Sequence, residues 1–143
     1  MAKTITEKFV RKAIIDWLSK QGYNRYLKEK QSDEHGVDIS VRHWKYARYY
    51  LVEAKGDADP KTVKFPRSRQ EVSFMIAVGQ IVTRMKTKAR YNYAIAFPYS
   101  YGFVLRRVPW LFCKKNNLKI LLVSLDKKVK QYSWQDLEKI QKK

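Results

Sequence analysis

The sequence predicts an α/β fold in which a mixed sheet carries helices on both faces, and three observations predict it. An amphipathic helix opens the chain and three strand-like runs follow it, ending near residue 56. A second helix, rich in apolar residues, then leads into the strand "YNYAIAF". Last, "LKILLVS" is apolar almost throughout, as strands covered on both faces are. A meander followed by crossovers gives a mixed sheet with helices above and below it.

Each element has its own reason. In "TITEKFVRKAIIDWLSKQG", Ile5, Phe9, Val10, Ala13, Ile14, Trp17 and Leu18 share one side of a helix, and Gly22 is its stop signal. "YNRYLKEKQ" reads as a first strand. In "GVDISVR", Val37, Ile39 and Val41 alternate with Asp38, Ser40 and Arg42, which is the period of a strand. In "RYYLVEAKG", Tyr50, Val52 and Ala54 oppose Leu51, Glu53 and Lys55. The two prolines of "DADPKTVKFPRSRQ" predict a long surface loop.

"EVSFMIAVGQIVTRMKTK" predicts a helix apolar nearly all round, hence buried against the sheet, with Gly79 marking a close approach. "LRRVPWLFCKKNN" predicts a broken or short helix. "KVKQYS" predicts a short strand, and "SWQDLEKIQ" a helix with Ser133 as N-cap. With no repeat or linker, residues 1–143 are expected to form a single domain.

Composition narrows the partners. Against 13 Asp and Glu stand 31 Lys and Arg, a formal charge of +18. That excess repels itself in the compact state and attracts polyanions, nucleic acid foremost and an anionic membrane surface second. No run approaches the roughly 20 apolar residues of a membrane-spanning helix. The first 18 residues mix acids with bases, unlike a signal peptide. Cys113 is the single cysteine, which excludes an internal disulfide and fits a reducing cytoplasm. One Cys and two His exclude the usual zinc sites, so any metal is held by oxygen.

The chemistry centres on residues 36–56. A hairpin symmetric about Lys45 and Tyr46 sets position 38 opposite position 53. Cross-strand Cβ atoms lie about 4.5–5.5 Å apart, and like charges so placed are destabilising. A divalent cation reverses that sign, because Mg²⁺ accepts one or two carboxylates with water and phosphate oxygens completing its octahedron. Lys55 shares a strand face with Glu53, within reach of the same anionic site. "YYLVEA" reads as a central strand, where unpartnered charge is costly.

Asp38 followed by Glu53-Ala54-Lys55 on the next strand resembles the PD-(D/E)xK nuclease superfamily, which includes type II restriction enzymes, archaeal Holliday-junction resolvases and repair nucleases. The element order is similar to its αβββαβ core over residues 5–97, with 98–143 as a C-terminal elaboration. Val37 stands where the name-giving proline would be. The resemblance implies a restriction-endonuclease-like fold and a metal-dependent DNA endonuclease. It implies Mg²⁺ or Mn²⁺ held by Asp38, Glu53 and the Ala54 carbonyl, with Lys55 positioning water or stabilising the phosphorane. Homodimers are one arrangement such enzymes adopt. A weakened, binding-only version of the fold and an RNA-directed nuclease are the alternatives.

Two further residues join this set. Glu7 is the candidate for the acid that many members place on the first helix. It also completes a capping box with Thr4, whose hydroxyl would cap the helix while Glu7 reaches back. Gln80, a lone amide within "MIAVGQIVTRM", needs a hydrogen-bond partner and is similar to a glutamine that several branches point towards the site.

Lys61, Lys64, Arg67 and Arg69 are expected to contact phosphates from the loop after the catalytic strand, and Lys45 from the hairpin tip. Trp44 and Tyr46 are the aromatics most exposed for stacking on unpaired bases. Neither His35 nor His43 is assigned a role.

Overall fold

The computed structural model describes residues 4–29, 38–58, 61, 64–85 and 90–143. Helix α1 (Glu7–Lys20) precedes strands β1 (Arg25–Glu29), β2 (Ile39–Arg42) and β3 (Tyr49–Ala54). Helix α2 (Pro66–Thr83) crosses to β4 (Tyr91–Pro98) and a 3-10 turn (Tyr99–Tyr101). Helices α3 (Val104–Arg107) and α4 (Trp110–Asn116) lead to β5 (Leu118–Val123), β6 (Val129–Tyr132) and helix α5 (Trp134–Gln141).

The described strands form one six-stranded sheet in chain order. Pairs β1–β2, β2–β3 and β5–β6 are antiparallel, whereas β3–β4 and β4–β5 are parallel. The sheet is therefore mixed, as the meander-then-crossover order requires. Right-handed crossovers stepping the same way across a sheet put their helices on one face. Accordingly, α2 to α5 cover one side around Phe74, Ala77, Ile95, Phe97 and Ile120. Helix α1 covers the other through Val10, Ile14 and Leu18.

Small residues set how closely α1 packs. Val52 pairs with Ala94 and Ala54 with Ala96, so three alanines floor the sheet beneath the helix. Fully burying Ile14 or Leu18 there is worth about 1.5–3 kcal/mol each. At the helix end Gly22 adopts φ +94°, and Tyr23 N–H returns to the Leu18 carbonyl, the stop expected of a glycine at that place. Ser133 caps α5 in a reciprocal box with Asp136.

Four expectations are corrected. Helix α2 starts at Pro66, five residues before the expected Glu71, because proline's fixed φ suits a first helical turn. Arg67 and Arg69 consequently stand on a helix and not in a loop. Nor is α2 buried all round: only Phe74, Ala77 and Ile81 are buried, while Val72, Met75, Ile76 and Val82 are exposed. A helix on the outside of a sheet has one face to hide, whatever the apolarity of its others. Gly79 lies on the open side, where an added Cβ would meet nothing within 4 Å. Finally, Thr6 and not Thr4 caps α1, its Oγ1 accepting from Phe9 N–H at 3.1 Å. Glu7 is thus the first helical residue and not the third, as the predicted box required. The readings placed on His35, Val37 and residues 86–88 of the expected second helix lie outside the described residues.

Candidate active site

The β2–β3 ladder pairs Ile39 with Val52 and Arg42 with Tyr49. Continued by one residue, it sets Asp38 across from Glu53, the register of a hairpin symmetric about Lys45 and Tyr46. Alternation puts both on the α2 side of the sheet, because Ser40 pairs with Leu51, which packs in the α2 core. Both are buried, Asp38 4% and Glu53 0% exposed, and no other acidic or basic residue whose side chain is described is buried. Asp38 Oδ2 accepts the Ala54 amide at 2.8 Å, replacing the strand partner that β2 no longer supplies. On its other edge β3 continues past Ala54, since Lys55 N–H donates to the Ala96 carbonyl at 3.0 Å. Lys55 therefore keeps the strand parity that puts it on the Glu53 face.

Beyond that strand end the chain meets the start of α1. A Cβ on Gly56 would lie 2.2 Å from Glu7 N, so only glycine admits this approach. Asp57 locks it: its amide donates to the Ile5 carbonyl at 2.7 Å and its Oδ2 accepts Ile5 N–H at 3.0 Å. Asp57 Oδ1 also accepts from Ser100 Oγ at 2.6 Å. Tyr101 donates its hydroxyl to the Gly56 carbonyl at 2.9 Å, and burial pushes the phenol's pKa up, keeping the donor protonated. These contacts hold open a cleft of about 740 Å³. Glu7, Lys55 and Lys61 line it from α1 and the post-strand segment, Arg69, Ser73 and Ile76 from α2. It lies outside the carboxyl end of β3, the usual place for ligands in sheets with parallel strands.

The structure divides the remaining candidates. Glu7 and Lys55 share the cleft, with Lys61 and Arg69 at its walls. Gln80 stands one turn past Ile76 on α2 and is not among the cleft-lining residues; its Oε1 is buried without a hydrogen-bond partner among the described residues. Lys64 is exposed, its Nζ 5.6 Å from the Phe65 ring centroid. Arg67 is engaged elsewhere, 3.5 Å above the Phe103 ring and 3.4 Å from Glu71. Lys45 occupies the hairpin tip at the far end of β3. Asp57 and Ser73, unremarked in the sequence reading, complete the cleft. The signal for Asp57 was its place directly after Lys55-Gly56, and nothing local marks Ser73.

Electrostatically this end of the sheet stands out. Glu7 and Asp57 line the cleft while Asp38 and Glu53 are buried in the strands that lead to it, in a protein of formal charge +18. Facing carboxylates across a strand pair suit a hard cation, and two of them with water suffice for Mg²⁺. No cluster of three or more His, Cys, Asp or Glu able to hold a metal occurs among the described residues, so a cation here would rest on two acids and backbone oxygen. No helix among the described residues is long and apolar enough to cross a membrane. Comparisons with family models, curated proteins and solved structures find no significant match for this chain.

Proposed function

We propose that the protein is a metal-dependent phosphodiesterase of the PD-(D/E)xK type, an endonuclease acting on DNA through a restriction-endonuclease-like site. The observation that carries this reading is the buried pair Asp38 and Glu53 on adjacent strands; neither lines the cleft, but Lys55, two residues past Glu53, does, together with Lys61 and Arg69. Asp38, Glu53 and the Ala54 carbonyl would hold Mg²⁺ or Mn²⁺. Bound there, such a cation lowers the pKa of water and withdraws charge from the scissile phosphate. Lys55 offsets the charge that develops on the phosphate as it is attacked, in a site partly shielded from water. Glu7, at the first position of α1, sits where the helix dipole favours a carboxylate and where it can orient an attacking water. Lys61 and Arg69 hold the flanking phosphates.

A binding module on the same frame is the second reading, favoured by the lack of a third acidic or histidine ligand among the described residues. One experiment separates them: duplex, branched and single-stranded DNA, with matched RNA, incubated with Mg²⁺ or Mn²⁺. Cleavage of DNA by the parent protein, lost to background in Asp38→Asn and in Glu53→Gln while binding persists, is the expected result. Binding without cleavage of any substrate would overturn the enzymatic reading, and cleavage confined to RNA would overturn the DNA assignment.

A further inference from the structure

The tip of the β2–β3 hairpin is built unlike a turn. Six residues, "HWKYAR", connect the strands without Gly, Pro, Asn or Asp, the residues that usually make turns. The loop is instead organised around His43. Its Nδ1 accepts the amides of Lys45 and Tyr46 at 3.1 and 3.3 Å. Its ring stacks on Trp44 with centroids 6.2 Å apart, and lies 5.2 Å from Tyr46 and edge-on to Tyr23 at 5.3 Å. Gly22 makes room for it, since a Cβ there would sit 2.4 Å from His43 Nε2. Trp44 N–H donates to the Gly22 carbonyl at 2.8 Å, tying the tip to the end of α1.

What this scaffold presents is a pair of aromatic faces: Trp44 is 54% and Tyr46 47% exposed. Lys45 Nζ and Arg48 Cζ lie 5.4 and 5.0 Å from the Tyr46 ring centroid, and the loop contains no acid. Rigid rings flanked by cations are what single-stranded nucleic acid needs: stacking for its bases and charge for its phosphates. A duplex offers the phosphates alone, because its bases already stack on one another.

We propose that the hairpin tip is a platform for unpaired nucleobases and that the substrate carries a single-stranded stretch beside the site of cleavage. The inference rests on the nucleic-acid reading of the cleft and sets a distance to it. Gly56 ties the cleft to the start of α1 and Trp44 ties the tip to its end. A 14-residue helix spans about 21 Å, or about six stacked nucleotides at roughly 3.4 Å each. The platform therefore holds bases about six positions from the phosphate in the cleft.

Fluorescence anisotropy in EDTA tests the platform without requiring cleavage, using a 20-nucleotide oligo-dT and a 20-base-pair duplex. Trp44→Ala with Tyr46→Ala is expected to weaken oligo-dT binding about tenfold or more. Duplex binding should stay within twofold, and the salt slope of oligo-dT binding should be unchanged. Trp44→Phe with Tyr46→Phe should restore the single-strand affinity, which excludes misfolding as the cause. Equal loss on both DNAs, or no loss on either, overturns the proposal. So does a tip-dependent binding to phosphatidylserine–phosphatidylcholine vesicles that oligo-dT does not compete away, which would make these rings a membrane contact. Failure of cleavage in the metal assay, with this binding pattern intact, would defeat the nuclease reading alone.

Discussion

The backbone amide of Ala54 donates to Oδ2 of Asp38 at 2.8 Å, so the first candidate metal ligand also completes the hydrogen bonding of the strand that carries the second. The two roles separate by mutation. Asp38→Asn keeps an oxygen for the amide and removes the charge. Asp38→Ala strands a buried N–H, at a cost of about 1–3 kcal/mol. Chemical denaturation should find Asp38→Asn within about 1 kcal/mol of the parent and Asp38→Ala clearly below it. Activity should be absent in both.

Gly56 should tolerate no side chain. Its Cβ position collides with Glu7 N at 2.2 Å and with the Thr6 carbonyl carbon at 2.7 Å, both backbone atoms that no rotamer can move. Gly56→Ala is expected to lower stability by about 1–3 kcal/mol or more and to displace Glu7 from Lys55. Thermal unfolding measures the first effect, and cleavage measures the second. Gly79→Ala is the control: its Cβ points into open space, and replacing a helical glycine should raise stability by about 0.5–1 kcal/mol.

Glu71 withholds positive charge from the surface. It pairs with Arg107 at 2.8 Å and with Arg67 at 3.4 Å. The expected phosphate contacts besides Arg67 are Lys45, Lys61, Lys64 and Arg69. Log affinity for duplex DNA should then fall with log salt at a slope of about −3.6. Glu71→Gln releases Arg67 and Arg107 and should steepen that slope by about one to two, at little cost in stability because the pairs are solvent-exposed. An unchanged slope would show that neither arginine takes part in binding.

Cys113 should be chemically silent. Burial pushes its thiol from 9.0 up to about 11, which leaves about one molecule in a thousand as thiolate at pH 8. Alkylation should be slow in the native protein and fast in denaturant. The sign for stability follows from the same shift. The folded chain keeps a proton that the unfolded chain releases, so this thiol's contribution falls as pH rises from about 9 to about 11.

The strands, their order and the acidic pair were legible because each is written in a local period. Alternation in "DISVR" and the apolar run of "YYLVEA" mark two strands, and a hairpin's register follows from its symmetry, so Asp38 falls opposite Glu53 by arithmetic. Gly22 and Ser133 announce helix ends within a few residues of where they act. What lay beyond the sequence depends on distant partners. Only the sheet decides which face of α2 is covered, and it leaves Val72 and Met75 outside although they are as apolar as the buried Phe74. Arg67 reads as a loop cation until Phe103 and Glu71 are folded against it.

By itself, then, the sequence determined the mixed α/β order, the net positive charge and the placing of Asp38 and Glu53 beside one another at the end of the β2–β3 pair, since periodicity and net charge need no knowledge of tertiary contacts. Only the tertiary structure decided that Gly56 abuts Glu7, that Asp57 fastens the start of α1 to the end of β3, and that the resulting cleft draws one wall from α2. Asp57 and Ile5 are 52 residues apart, and no local pattern encodes a contact made between two chain segments after both have docked on the same sheet.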